Sequence, residues 1–167
     1  HSDDAIAHFR RAVGLWPSDV CYSKWGGGFA ARANSAGFPS GNRLNEGTPL
    51  AEIMRLDEPA MSHMSRSDLF YAARAALMHA HGLNPLYSDH INNLARLYGK
   101  WTSLTTDPNE KSRLADQTAA LYEQAVRISP HNVFLWNEWA LFHLDQRGDV
   151  ESALKTIGKS LAVDSKF

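Results

Sequence analysis

Histidine is the residue type in this sequence that most readily suggests chemistry, because the chain contains eight of them and imidazole binds metals and transfers protons near neutral pH. His79 and His81 are two positions apart, which on a helix places them on nearly opposite sides, whereas a helical zinc pair is spaced by four. The other six are scattered, and His143 stands where a packing aromatic residue would be expected: His1, His8, His63, His90, His131 and His143. We therefore expect no metal ion and no other cofactor in this chain.

Nucleophilic and phosphate chemistry are not favoured either. Serine, histidine and aspartate all occur, but the sequence has no nucleophile elbow and no paired-carboxylate signature. The single cysteine, Cys21, excludes an internal disulfide, and we expect it to be packed beside Tyr22 rather than reactive. The triplet Gly26, Gly27 and Gly28 lacks the strand and the lysine-hydroxyl pair of a phosphate loop, which leaves close helix packing or flexibility. The sequence thus predicts no catalytic residue and no enzyme in this segment.

The overall charge is near neutral, with 17 Lys plus Arg against 18 Asp plus Glu. This balance does not support a broad surface for nucleic acid or for a membrane. No apolar run reaches the length of a membrane span, and the sequence has no signal peptide. We expect a soluble single domain, or a short repeat array, over residues 1–167. Since the sequence begins with His1 rather than Met, we also expect it to be a fragment of a larger protein.

Apolar residues recur at steps of three and four along most of the chain, which predicts an all-α fold. The predicted helices cover residues 3–17, 19–37, 65–83, 86–101 and 107–130, with two more beyond Pro130. Between Phe38 and Met64 the composition shifts to Pro, Gly, Asn and Ser, which predicts a long insertion. Within it we expect a short helix from Thr48-Pro49 to about Leu56, and methionines that pack the insertion against the helices: Met54, Met61 and Met64.

Helix-start signals support these boundaries. Ser65 with Asp68 resembles a capping box, in which the hydroxyl and the carboxylate each accept a main-chain N–H. Asp107 precedes Pro108 and is followed three positions on by glutamate, which is a typical helix start. Thr48 before Pro49 is expected to cap the short helix with its hydroxyl.

The stretch from residue 114 to residue 167 has the form helix, Ser-Pro turn, helix, Gly-Asp turn, helix, and it resembles a tetratricopeptide repeat (TPR), a helical hairpin of about 34 residues. The residues that carry the resemblance are Trp136, Trp139 and Ala140 in the first helix, Ala153, Ile157 and Ser160 in the second, and Ser165 at the closing place where proline is usual. The resemblance implies TPR-like antiparallel hairpins stacked as a short right-handed solenoid. Its parts would be an orphan second helix (1–17) and three hairpins (18–85 with insertion 38–64, 86–130 and 131–167).

In TPR arrays the first helices line a concave surface that binds extended peptides. Carried over by motif position, the groove residues of this chain would be Asn92, Asn93, Arg96, Lys100, Asn137 and Glu138. Asparagine stands where the two-lysine carboxylate clamp of some TPR proteins has its first lysine, which puts recognition of a C-terminal carboxylate in doubt. The resemblance implies a non-catalytic scaffold module with a protein or peptide ligand, while ordinary solvated helix faces remain the alternative.

A second resemblance concerns the runs NPLYSDHINNLARLYGKW and ALYEQAVRISPHNVFLWNEWA. They are similar to the soluble TPR-like tail of bacterial multi-pass membrane proteins of the O-antigen ligase or polymerase type. This implies an accessory domain on the extracytoplasmic, periplasmic side, tethered to a catalytic membrane portion outside this sequence. Without that link, a cytoplasmic location would be expected.

Overall fold

The computed structural model describes residues 2–34 and 43–164, and within these ranges the chain is helical with no strand. The described helices are α1 (Ser2–Leu15), α2 (Asp19–Ala33), α3 (Leu50–Arg55), α4 (Glu58–Ser62), α5 (Arg66–Leu83), α6 (Ser88–Leu104), α7 (Pro108–Ile128), α8 (Val133–Arg147) and α9 (Val150–Val163). The predicted all-α fold is confirmed. The expected end of the second helix near Gly37 and the closing residue Ser165 lie outside the described residues.

The chain forms two compact units, residues 1–85 and 86–167. In the first unit α2 packs against both α1 and α5, and α3 rests on α5. In the second unit α6 pairs with α7 and α8 pairs with α9, and α8 also packs on α7 and α6. The assignment of residues 1–167 to one domain, with the hairpin boundaries given above, stays a prediction.

Two of the predicted helix starts are confirmed and one is wrong in detail. Ser65 and Asp68 form the reciprocal capping box of α5, and the Asp107 carboxylate accepts the main-chain N–H groups of residues 109 and 110 at the start of α7. At α3 the helix begins one residue later than expected, so that Pro49 occupies the cap position without a side-chain hydrogen bond. The Thr48 hydroxyl instead accepts the N–H of Asn45 at 2.9 Å, because it lies in the preceding turn.

Close helix packing explains one glycine of the triplet inside α2. A Cβ built at Gly26 would lie 2.8 Å from Cγ of Leu77 and 3.1 Å from the carbonyl oxygen of Ala73, both on α5. The expected packing role is therefore confirmed at Gly26. At Gly27 a Cβ would meet nothing within 4 Å.

The described part of the insertion, residues 43–64, is anchored to the first unit by buried groups. Asp68 is buried, and its Oδ1 accepts the main-chain N–H groups of Arg43 at 2.8 Å and Leu44 at 2.7 Å while Oδ2 accepts that of Ser65 at 3.1 Å. Apolar anchors of the same segment are also buried, namely Leu44, Ile53, Met61 and Met64. The first residues of the predicted insertion, 38–42, lie outside the described residues.

The last hairpin follows the TPR-like pattern with one difference. Gly148 adopts the left-handed conformation (φ 62°) that ends α8, and Ala153 and Ser160 are buried on α9. Ile157 does not belong to this packed face, since it is 37% exposed. The buried run on α9 continues through Thr156 at steps of three and four, which turns Ile157 to the side.

Candidate functional site

A groove of about 330 Å³ opens on the second unit. Its lining comes from α6 (Arg96, Gly99, Lys100, Ser103), α7 (Tyr122) and α8 (Glu138, Leu141, Phe142, Asp145, Gln146). On both helices the lining residues, single or in adjacent pairs, recur about once per helical turn, because each helix turns one face towards the opening. Three of the predicted groove residues, Arg96, Lys100 and Glu138, therefore meet in one place.

Arg96 and Glu138 form a two-bonded ion pair that joins α6 to α8. The Arg96 Nε donates to Glu138 Oε2 at 2.8 Å, and the guanidinium Nη2 donates to Oε1. The hydrogen bond to Glu138 raises the pKa of the Arg96 guanidinium above its ordinary value. Because the arginine side chain is 56% exposed, such a pair adds at most about 1 kcal/mol to stability. Its main effect is to hold one end of the groove in a fixed geometry.

Tyr122 reaches the groove from α7 and brings a buried polar group to its lining. The side chain is only 6% exposed, and its ring packs against Phe142 with centroids 5.8 Å apart. Burial, with a further contribution from the Glu138 carboxylate, raises the pKa of the phenol well above its ordinary value, so the hydroxyl stays protonated. Within the described part of the chain this hydroxyl makes no hydrogen bond. It can therefore donate to or accept from a bound molecule.

Lys100 and Asp145 place opposite charges on the two walls. Lys100 follows Arg96 by one turn of α6, and Asp145 follows Glu138 by two turns of α8. Both residues are exposed, and neither charged group forms an ion pair with a residue that the structure describes. Each is free to bind a charged group from outside.

An exposed apolar side chain lines the same groove as these charges. Leu141 is 55% exposed on the groove side of α8, whereas its neighbour Phe142 is buried in a core cluster with Ala95 and Ala115. The groove thus combines a free cation, a free carboxylate, an unpartnered hydroxyl and an accessible leucine. Among the described lining residues the Ser103 hydroxyl donates to the Lys100 carbonyl oxygen, and no nucleophile is hydrogen-bonded to a base.

The asparagines expected in the groove do not line it. Asn92 was expected to face outward, and this placement is wrong, because only 6% of it is exposed. Most of the first half of α6 is buried, and the Asn92 Oδ1 has no hydrogen-bond partner among the described residues. Asn93 and Asn137 are half-buried. The binding roles predicted for all six residues stay predictions.

Sequence reasoning missed Tyr122, Leu141 and Asp145. For the two α8 residues a signal was available, since they follow Glu138 at three and seven positions and therefore share its helical face. Tyr122 had no comparable signal. Its place in the groove depends on how α7 packs beneath α6 and α8.

The described residues form neither a metal-binding cluster nor a membrane-spanning helix. Across residues 2–34 and 43–164, no three His, Cys, Asp or Glu side chains cluster closely enough to hold a metal ion. None of the helices that the structure describes combines the length and the apolar character needed to cross a bilayer.

The fold is similar to that in the crystal structure of the MamA protein. The TM-score is 0.60 at 20% sequence identity, over 99% of this chain and 65% of the MamA chain, so this chain spans less than two thirds of that one. No protein-family model matches the sequence. No curated protein matches it either, and the resemblance to membrane glycan ligases and polymerases stays a prediction. At this level of identity the structural likeness shows the fold alone, and it supports the conclusion that the chain has an all-α, TPR-like fold.

Proposed function

We propose that this chain is a non-catalytic protein-interaction module whose groove between α6 and α8 binds an extended peptide segment of another protein. The observation that carries the proposal is the set of polar groups in that groove that have no partner among the residues the structure describes. The Tyr122 hydroxyl, the Lys100 ammonium and the Asp145 carboxylate belong to residues that line the same groove as the exposed Leu141 side chain. The TPR-like fold is consistent with such a role, because stacked helical hairpins present extended binding surfaces.

A peptide suits these groups better than other ligand classes. The walls carry both signs of charge, which opposes a polyanion such as nucleic acid. The opening is a groove along two helices, so an extended chain can contact both walls along its length. Arg96 and Glu138 contribute by fixing one end of the groove, and Lys100 contributes a direct contact.

The test is selection of binders from a linear peptide library, followed by affinity measurements on two leucine variants. Leu141→Ser removes the apolar contact inside the groove, and Leu154→Ser removes a comparably exposed leucine (66%) from α9, outside it. Burying a leucine contributes about 1.5–3 kcal/mol. Because only 55% of Leu141 is exposed and available for burial, we expect Leu141→Ser to weaken binding roughly four- to fifteenfold, with the melting temperature unchanged.

Leu154→Ser should bind as the wild type does. Equal affinities for both variants and the wild type would show that the selected peptides bind elsewhere. A library that yields no binder at all would contradict the proposed function.

A further inference from the structure

The two walls of the groove carry opposite charges. On α6 the charged lining residues are Arg96 and Lys100, and on α8 they are Glu138 and Asp145. The first residue of each wall is already neutralised in the Arg96–Glu138 pair. The second residue of each wall has no ionic partner among the described residues. At the Arg96–Glu138 end of the groove the charges therefore neutralise each other. The other end, with Lys100 and Asp145, is the open end, where both charges are available to a ligand.

The open end requires two opposite charges from its ligand, one for each wall. A purely acidic segment would satisfy Lys100 and be repelled by Asp145, and a purely basic segment would do the reverse. Such a mismatch lowers affinity, whereas a ligand that carries both charges neutralises both walls. The charges of the two walls therefore restrict which peptide sequences can bind more than the shape of the groove does.

Strand geometry fixes how those two charges must be spaced. In an extended chain, successive side chains point to opposite faces, and the main-chain N–H and C=O groups point at right angles to them. A strand lying along the groove with its side chains towards α6 and α8 then turns main-chain groups towards Tyr122, whose hydroxyl lacks a partner in the described structure. Residues an odd number of positions apart reach opposite walls, and residues an even number apart reach the same wall.

We propose, building on the proposed function, that the groove selects extended peptide segments in which an acidic and a basic side chain are separated by an odd number of positions. The acidic group pairs with Lys100 and the basic group pairs with Asp145. An apolar residue two positions from the basic one faces the same wall and rests on Leu141. The ligand class is therefore a zwitterionic segment of a partner protein, bound through side chains to both walls and through its main chain to Tyr122.

The first experiment compares three capped synthetic peptides with a common apolar host sequence. The first peptide carries glutamate and lysine at adjacent positions, and the second carries them two positions apart. The third has glutamine in place of both charged residues. Affinities are measured by fluorescence anisotropy at low and at high ionic strength. We expect the adjacent pair to bind roughly five- to tenfold more tightly than the other two, because two rim ion pairs form only there. High salt should remove most of that advantage.

The second experiment reverses the charges of the walls. Lys100→Glu makes both walls acidic, so it should weaken the adjacent Glu-Lys peptide and strengthen a peptide with lysine at both positions. Adding Asp145→Lys restores opposite walls, and affinity for the adjacent pair should return. Lys155→Glu on the exposed surface of α9 is the matched control and should leave all affinities unchanged. Recovery in the double variant separates charge recognition from damage to the fold.

The outcomes distinguish the two proposals. Equal binding of all three peptides, still sensitive to Leu141→Ser, would overturn charge selection and leave the peptide groove in place. Loss of affinity in Lys100→Glu without recovery in the double variant would also overturn charge selection. Absence of binding by every peptide, together with no binder from the library, would count against both proposals.

Discussion

The contact between α2 and α5 at Gly26 gives a quantitative test of the packing in the first unit. In an exposed helix, replacing glycine with alanine stabilises the folded state by about 1 kcal/mol, because alanine loses less backbone entropy on folding. At Gly26 the new Cβ would lie 2.8 Å from Cγ of Leu77 and 3.1 Å from the carbonyl oxygen of Ala73. The side chain can shift, but the carbonyl belongs to the α5 backbone. Overpacking of this kind costs about 1–3 kcal/mol.

The neighbouring residue provides the control. Gly27 lies in the same helix, one position on, and a Cβ there would meet nothing within 4 Å. We expect Gly27→Ala to raise the free energy of unfolding by about 1 kcal/mol. The sum of the two effects predicts that Gly26→Ala lowers it by about 0–2 kcal/mol, leaving the two variants about 1–3 kcal/mol apart.

The assay is urea denaturation followed by circular dichroism. Because the chain forms two compact units, the transitions should be fitted with and without an intermediate. Equal stabilisation by Gly26→Ala and Gly27→Ala would show that α2 and α5 are not in close contact at this point, and would refute the reasoning.

Two further predictions concern buried polar groups. Asp68→Asn replaces one carboxylate oxygen by a donor opposite the main-chain N–H groups of Arg43, Leu44 or Ser65, and should lower the free energy of unfolding by about 1–3 kcal/mol in urea denaturation. The control Asp57→Asn, at the exposed cap of α4, should change the free energy of unfolding little, because asparagine caps a helix as well as aspartate does. An equal loss of stability in both variants would contradict the anchoring role of Asp68. His143 stacks on Trp139 and also faces Asp149 and Arg147, and burial lowers its pKa. At pH values just below the ordinary histidine pKa of about 6.5, this residue therefore binds more protons in the unfolded state than in the folded state. The contribution of His143 to stability is therefore complete above that pH and is lost as the pH falls below it. In thermal melts from pH 7.5 to about 5, the melting temperature should fall more steeply for the wild type than for His143→Gln. A parallel fall in both proteins would refute this prediction.

Much of the fold could be predicted from the sequence because its determinants are local. The box of Ser65 and Asp68 and the cap at Asp107 each depend on residues within one helical turn, and the structure has both. The apolar periodicity likewise locates the long helices, since a helix buries the stripe that repeats at its own period. At Thr48 the same reasoning placed the cap one residue early, where the turn before α3 uses the hydroxyl differently.

The groove was only partly predictable, because its lining depends on how three helices are rotated against one another. The position of Arg96 and Glu138 in the repeat motif was enough to predict that both lie in the groove. Because α6 and α8 are neighbours, the two side chains can then form their ion pair. Asn92 occupies the same side of α6 one turn earlier, but there the helix is largely buried, and no local signal in the sequence marks that change. In the sequence Tyr122 has the pattern of a core residue, and its ring is part of the core cluster. Its hydroxyl nevertheless reaches the groove.

The central claim is that the groove between α6 and α8 binds a peptide segment. The most direct measurement is an amide chemical-shift titration of the isotopically labelled chain with the tightest peptide from the library. We predict that the largest shifts centre on Gly99, Leu141 and Asp145, which lie on the two walls, with smaller shifts at the end of the groove held by Arg96 and Glu138. Shifts concentrated instead on the exposed face of α9, around Leu154, or on α1, would contradict the claim.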